Sequence, residues 1–157
     1  MKGGKMMFIN KSMTIAVMLF LWLVLPGASC FAIDNPDAPD FVAEFEARAL
    51  KFETNTQNQG QNTSDTVHAY AEYEKFLDQE LNQAYSALIK RISSESKKNL
   101  MAAQKSWLHF RDAEFLFVSQ NWTVANFGTS SALSIGISRT KVIRDRVIEL
   151  LYYLKNY

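Results

Sequence analysis

Cysteine is almost missing from this 157-residue sequence. Cys30 is the only one, so no intrachain disulfide can form and packing alone must carry the fold. Histidine is nearly as scarce. His68 and His109 fall on different predicted helices, and a zinc site would need further ligands from carboxylates at unrelated spacing, so no metal site is expected. Six glycines and three prolines are too few for an all-β sandwich, which needs turn residues about every 8–12 positions. The sequence also lacks a Gly-x-Ser-x-Gly element, a Cys paired with His and a phosphate-cradling glycine loop. No catalytic residues and no cofactor are therefore expected, and the chain reads as a binding protein and not an enzyme. An acid–base pair made of Asp78 and Glu80 is weighed and set aside, because alternate positions on a helix point apart.

What is present is ordinary for a globular protein, with 48% hydrophobic and 21% charged residues, and room for one domain. The first 32 residues hold Lys2, Lys5 and Lys11 and no acid, then an apolar run over residues 13–25, then Pro26-Gly27-Ala28-Ser29-Cys30-Phe31-Ala32. That order is the one of a cleavable signal peptide over residues 1–32. The run falls short of the roughly 20 apolar residues that span a bilayer, so no stable membrane insertion is expected after cleavage. Cutting after Ala32 leaves no thiol. The alternative is a lipoprotein box at Ala28-Ser29-Cys30 with Cys30 acylated, but Gly27 stands where that box has Leu or another aliphatic. Either way the expected location is periplasmic or secreted.

Without the three leader lysines, 14 of the 17 basic residues remain against 16 acidic ones, a net of −2. The signs are segregated: residues 33–86 carry 11 acids and 3 bases, while residues 87–157 carry 5 acids and 11 bases. The simpler consequence is that the halves pack together and neutralise each other; the alternative is a field that steers a charged partner.

Hydrophobic periodicity predicts an all-α fold, an antiparallel bundle of three long helices and one short N-terminal helix. Residues 33–64 are expected to hold an extended leader, a short helix over 41–52 with Phe41, Val42, Phe45, Ala49 and Phe52 on one face, and a polar loop over 54–66. The main domain spans 65–157. Its first long helix carries Tyr70, Leu77, Leu81, Ala84, Tyr85, Leu88 and Ile92. Serines 93, 94 and 96 offer caps for the second helix, where Leu100, Ala103, Trp107, Phe110, Glu114 and Phe117 step by three and four as a core seam. Residues 121–131 around Gly128 read as a turn. The last helix carries Leu133, Ile137, Thr140, Arg144, Val147, Leu151 and Leu154. His109 is expected to be a half-buried packing residue. The aromatics of the basic half lie on the predicted core stripe, so nucleic-acid binding is not expected.

A polar set sits among these core positions: Asp78, Asn82 and Tyr85 on one helix, and Gln104, Trp107 and Arg111 on the next. An unpaired polar group on a buried seam costs about 1–3 kcal/mol, so Asp78 should pair with Arg111, and Asn82 with Gln104 or a backbone group, fixing register.

The two runs Asp78-Gln79-Glu80-Leu81-Asn82-Gln83-Ala84-Tyr85 and Gln104-Lys105-Ser106-Trp107-Leu108-His109-Phe110-Arg111-Asp112-Ala113-Glu114 resemble the exported LprI-like lysozyme-inhibitor domain family. Its pattern is Asp-x-x-Leu-Asn-x-x-Tyr on one helix and Gln-x-x-Trp-x-x-x-Arg-Asp on the next, then a Gly-Ser/Thr turn and a closing Arg-containing helix. Here these are Asp78, Leu81, Asn82, Tyr85, Gln104, Trp107, Arg111 and Asp112, with Gly128-Thr129 and Arg144 and Arg146 behind them. The resemblance covers about residues 65–155. It also implies a disulfide-forming cysteine pair at positions that hold Ala69 and Phe115 here, so an aromatic contact is expected to replace the bridge. It implies a bacterial envelope or secreted protein with a protein partner, a lysozyme for a few members. Animal-type lysozymes are basic and cut between two carboxylates. The acidic first half would steer such a partner, and the segments 54–66 and 121–131, free of core duties, are the expected contacts. The alternative is an envelope interaction or scaffold protein that presents residues 41–52 to a partner other than lysozyme.

Overall fold

The structure, a computed structural model, describes residues 39–57 and 62–157; the export segment, its cut site and Cys30 lie outside the described residues. Five α-helices follow in order: α1 (Phe41–Gln57), α2 (Thr63–Arg91), α3 (Ser94–Asn121), α4 (Val124–Phe127) and α5 (Ser131–Lys155), with a 3₁₀ turn at Gly128–Ser130. The starts are set by polar caps. Asn62 accepts a hydrogen bond from the Asp65 backbone N–H at 3.0 Å, and Ser93 accepts one from that of Ser96 at 3.2 Å. At the corner before α5, Gly128 adopts a positive φ of 59°, which a side chain would resist. Among the described residues no helix is long and apolar enough to cross a membrane.

The fold is an all-α bundle in which chain neighbours run antiparallel. Its most extensive contact joins α2 and α5, which are not neighbours in sequence. Tyr70 lies against Gly136 and Glu74 pairs with Arg139, so numbers rise together and these two helices run the same way. Leu77, Leu81, Ala84 and Leu88 of α2 meet Ile143, Val147, Leu150 and Leu154 of α5 in the sealed centre. Gly136 permits the close approach: a Cβ built there would stand 2.2 Å from Tyr70 Cγ.

The other long helices flank this pair unequally. The α1 helix lies over the α2/α5 seam, burying Phe45 and Ala49 completely and stacking Phe52 on Phe76 with ring centroids 4.4 Å apart. Arg48 donates to both carboxylate oxygens of Glu80 at 2.8 and 2.7 Å, and Arg144 of α5 grips Glu46 and Glu53. The α3 helix covers the opposite flank, chiefly against α5, and buries only Val118.

Several expectations need correction. The short helix reaches Gln57 and α2 begins at Thr63, so helix takes up residues 54–57 and 63–66 of the polar loop expected over 54–66; residues 58–61 lie outside the described residues. The face of α1 proposed for a scaffold partner is turned into the core, with Leu50 its one large exposed apolar residue. The seam assigned to α3 is split between two faces. Leu100, Trp107 and Glu114 are half-buried, whereas Ala103, Phe110 and Phe117 are exposed. The two sets lie about 60° apart around the helix at every level, and only the first is turned toward the bundle. On α5 the true face is Gly136, Thr140, Ile143, Val147, Leu150 and Leu154; Leu133 and Ile137 are exposed. His109 is likewise exposed.

Candidate functional site

The eight motif residues gather at the joint between α2 and α3, and most of them line an open cleft where a packed seam was expected. The cleft has a volume of about 490 Å³. Leu81, buried in the core, forms its floor. Asp78, Asn82 and Tyr85 stand on the α2 wall, and Gln104, Leu108 and Arg111 on the α3 wall, with Met101 and Lys105 at the rim. The spacing explains the placement: positions 78, 82 and 85 share one stripe of α2, and 101, 104, 108 and 111 one stripe of α3. The cleft exists because α3 leans on α5 more than on α2.

Inside it the polar groups are only partly satisfied. Arg111 reaches Asp78 at 3.6 Å, but it gives its Nε and Nη2 protons to the adjacent Asp112 at 3.0 and 2.8 Å. The Asp78 side chain is 49% exposed and that of Arg111 21%. The expected pairing of Asp78 with Arg111 is therefore present and partly buried, but at that length and exposure it contributes only about 1 kcal/mol or less and is a weak register lock. Asn82 is exposed and does not meet Gln104. Gln104 instead accepts a hydrogen bond from Arg146 Nε at 3.0 Å.

Beneath the cleft runs a second layer of polar contacts that the motif does not include. Arg146, with a side chain only 8% exposed, donates from Nη1 to Glu149 at 2.6 Å, and Tyr153 donates to the other oxygen of Glu149 at 2.6 Å. Burial alone would push the Glu149 carboxyl up; the hydrogen bonds from Tyr153 and Arg146 and the charge of Arg146 outweigh it and hold that carboxyl below the usual range. Trp107 is half-buried above this layer, with the Arg146 and Arg111 guanidinium carbons 5.9 and 5.7 Å from its ring centroid. Arg146 was legible only as one of two arginines in the closing helix. The roles of Met101, Lys105 and Leu108 had no signal beyond their shared helical stripe.

The positions that the resemblance associates with cysteines are joined differently. Ala69 is buried, and Phe115 packs under the Arg139 guanidinium, 4.4 Å from ring centroid to carbon. Arg139 in turn donates to Glu74 at 2.8 Å. The link between α3, α5 and α2 is thus a cation–π contact leading into an ion pair, where an aromatic contact had been expected. Burial raises the Glu74 carboxyl above the usual range despite the charge of Arg139.

The cleft offers an acid, two amides, a phenol and two cations around an apolar floor. Glu80, the other acid once weighed with Asp78, is buried against Arg48 on the α1 side. Among the described residues no group of three or more His, Cys, Asp or Glu is placed to hold a metal ion. What the cleft can do is seat a segment of mixed polarity, hydrogen-bonded along its walls.

Comparison with curated proteins returns no match, and neither does comparison with solved structures. The sequence profile of one family does match, over residues 54–150, from the last turn of α1 through both walls of the cleft to Leu150 of the central helix pair. Since that span takes in both motif helices and most of the chain, the protein belongs to the family described as lysozyme inhibitor LprI.

Proposed function

We propose that this chain is exported and acts in the periplasm or outside the cell as a binding protein that inhibits a peptidoglycan-cleaving lysozyme, with the α2/α3 cleft as its contact surface. Family membership supports the activity. The observation that carries the choice of surface is that the side chains most characteristic of the family, Asp78, Asn82, Tyr85 and Arg111, line an open cleft and leave hydrogen-bonding capacity facing solvent. A rim loop of the enzyme seated there would bring α3 across the sugar channel and exclude the glycan sterically. Charge plays the smaller part, in line with the simpler reading of the segregated signs, that the halves neutralise each other. Arg111, Arg139 and Arg144 of the basic half already pair with Asp78, Glu74, Glu46 and Glu53 of the acidic half. Steering then falls to exposed acids such as Asp40, Glu44, Asp65 and Glu72.

The test is the rate of cell-wall lysis by several lysozymes with the purified protein in micromolar excess. The expected result is slowed lysis by the parent and at least about tenfold weaker inhibition by Asn82→Arg, which fills the cleft from an exposed position without touching the core. Unchanged lysis rates with the parent would remove the inhibitor reading. Full inhibition by Asn82→Arg would move the contact to another surface.

A further inference from the structure

Gln104 and Arg146 are imperfectly matched where the buried polar layer meets the cleft. The three nitrogens of the Arg146 head have three different fates. Nη1 donates to Glu149 at 2.6 Å and Nε to the Gln104 oxygen at 3.0 Å, while Nη2 is buried without a hydrogen-bond partner among the described residues. Nε and Nη2 share one edge of the guanidinium, a fork that a carboxylate fills with both oxygens. Arg48 shows the complete form on Glu80, giving Nε and Nη2 to its two oxygens at 2.8 and 2.7 Å. By that measure glutamate, nearly the same shape as glutamine, is the residue that suits Arg146 at position 104. Glutamine leaves a buried donor unsatisfied, and such a group calls for an explanation.

The other end of the amide supplies one. Arginine can only donate, so the Gln104 oxygen must face Arg146 and its NH2 group must face away. Gln104 lines the α3 wall of the cleft, and its NH2 group has no hydrogen-bond partner among the described residues. We propose that Gln104 is the recognition donor of the cleft, held in that orientation by Arg146 as a positioning residue, and that its NH2 group receives a carboxylate from the seated partner segment. The orphaned proton of Arg146 is then the stability given up for recognition.

Charge selects the carboxylate among possible acceptors. The charged residues lining the cleft are Lys105 and Arg111 against Asp78, two cations to one anion, and Asp78 already stands beside Arg111. Lys105, next to Gln104 and exposed at the rim, is the cation left over. A neutral carbonyl would meet the amide and leave that charge unused, and a lysine or arginine of the partner would find only donors along Gln104, Lys105 and Arg111. The partner segment therefore carries an aspartate or glutamate, even where the enzyme as a whole is basic. This inference rests on the reading of the α2/α3 cleft as the contact surface and adds what that surface recognises.

Gln104→Glu separates recognition from structure, because it completes the fork on Arg146 and takes the donor out of the cleft. The expected result is a urea midpoint at or above that of the parent together with at least about tenfold weaker inhibition of cell-wall lysis. A purely structural Gln104 would give the same midpoint with inhibition kept, and that outcome overturns the donor. A midpoint clearly below the parent's overturns the claim that glutamine is held there at a loss to Arg146. Orientation is read without any lysozyme: in nuclear Overhauser spectra of the parent the Gln104 NH2 protons should contact Met101 and Leu108, its neighbours on the cleft wall. Contacts to Trp107 and none to those two overturn the placement. Lys105→Gln should weaken inhibition and lessen its sensitivity to salt; no change in either overturns the carboxylate. A parent that slows no lysozyme removes the contact reading and this proposal with it, whereas an active parent with an equally active Gln104→Glu removes this proposal alone.

Discussion

Phe45 and Phe110 occupy positions that look alike in the sequence, each three or four residues from other apolar side chains, yet Phe45 is sealed beneath α1 and Phe110 faces solvent. Truncation should separate them. Phe45→Ala is expected to cost about 3–5 kcal/mol in urea melts, the usual loss for a buried aromatic. Phe110→Ala, measured at submicromolar protein, should stay within about 0.5 kcal/mol of the parent. Gly136 is the opposite case, a small residue with a large role. Because any Cβ there would collide with the root of the Tyr70 ring, Gly136→Ala is expected to lower stability by about 1–3 kcal/mol despite alanine's better helix propensity. Denaturant titration checks it, and a stabilised variant would mean that the ring yields freely. The sequence marked Gly128 and passed over Gly136, since a glycine inside a helical pattern reveals its partner only when the opposite helix is known.

At the scale of elements, hydrophobic spacing was enough to place every long helix, and caps such as Ser93 fixed their starts. Helix faces were less legible. In α3 the spacing picked up Trp107 and Phe110 together, although only the Trp107 stripe touches the bundle and the neighbouring Phe110 stripe is exposed. Patterning records where apolar residues lie and not which of two apolar stripes meets the core. The cleft was hidden for a related reason: a motif on facing helices was read as a lock, and whether the helices close on each other depends on how α3 divides its packing between α2 and α5. With one buried residue along 28, α3 should be the first long helix to open. In native-state hydrogen exchange its amides are expected to exchange faster than those of α2 and α5 by an order of magnitude or more. Equal protection across the three would show that α3 is held more firmly than its burial implies.

Over the whole molecule, the two oppositely charged halves neutralise each other through arginines of α3 and α5 reaching acids of α1 and α2, and one knot of that network makes the fold sensitive to alkali. Tyr73 donates to Glu53 at 2.7 Å, and Arg144 donates to the same oxygen. Burial, with the hydrogen bond to Glu53, pushes the Tyr73 phenol well above its usual range. A raised folded-state value means that the contribution is fully present below the unfolded phenol value of about 10 and is lost as pH climbs through the folded one. Stability should therefore fall steeply above about pH 10, and Tyr73→Phe should flatten that decline while removing the latest-ionising tyrosine from the ultraviolet titration. An unchanged titration curve would contradict it. The parallel pairing of α2 with α5 also governs when the protein can fold. Glu74 waits for Arg139, 65 residues later, and Glu46 for Arg144, 98 residues later. A chain emerging from the ribosome cannot close its core until the last helix has been made, so α1 and α2 remain an open, threadable segment through most of synthesis. Ending translation at Ser130 should leave a largely unfolded product by circular dichroism, whereas a folded one would mean that α1, α2 and α3 form a core without α5.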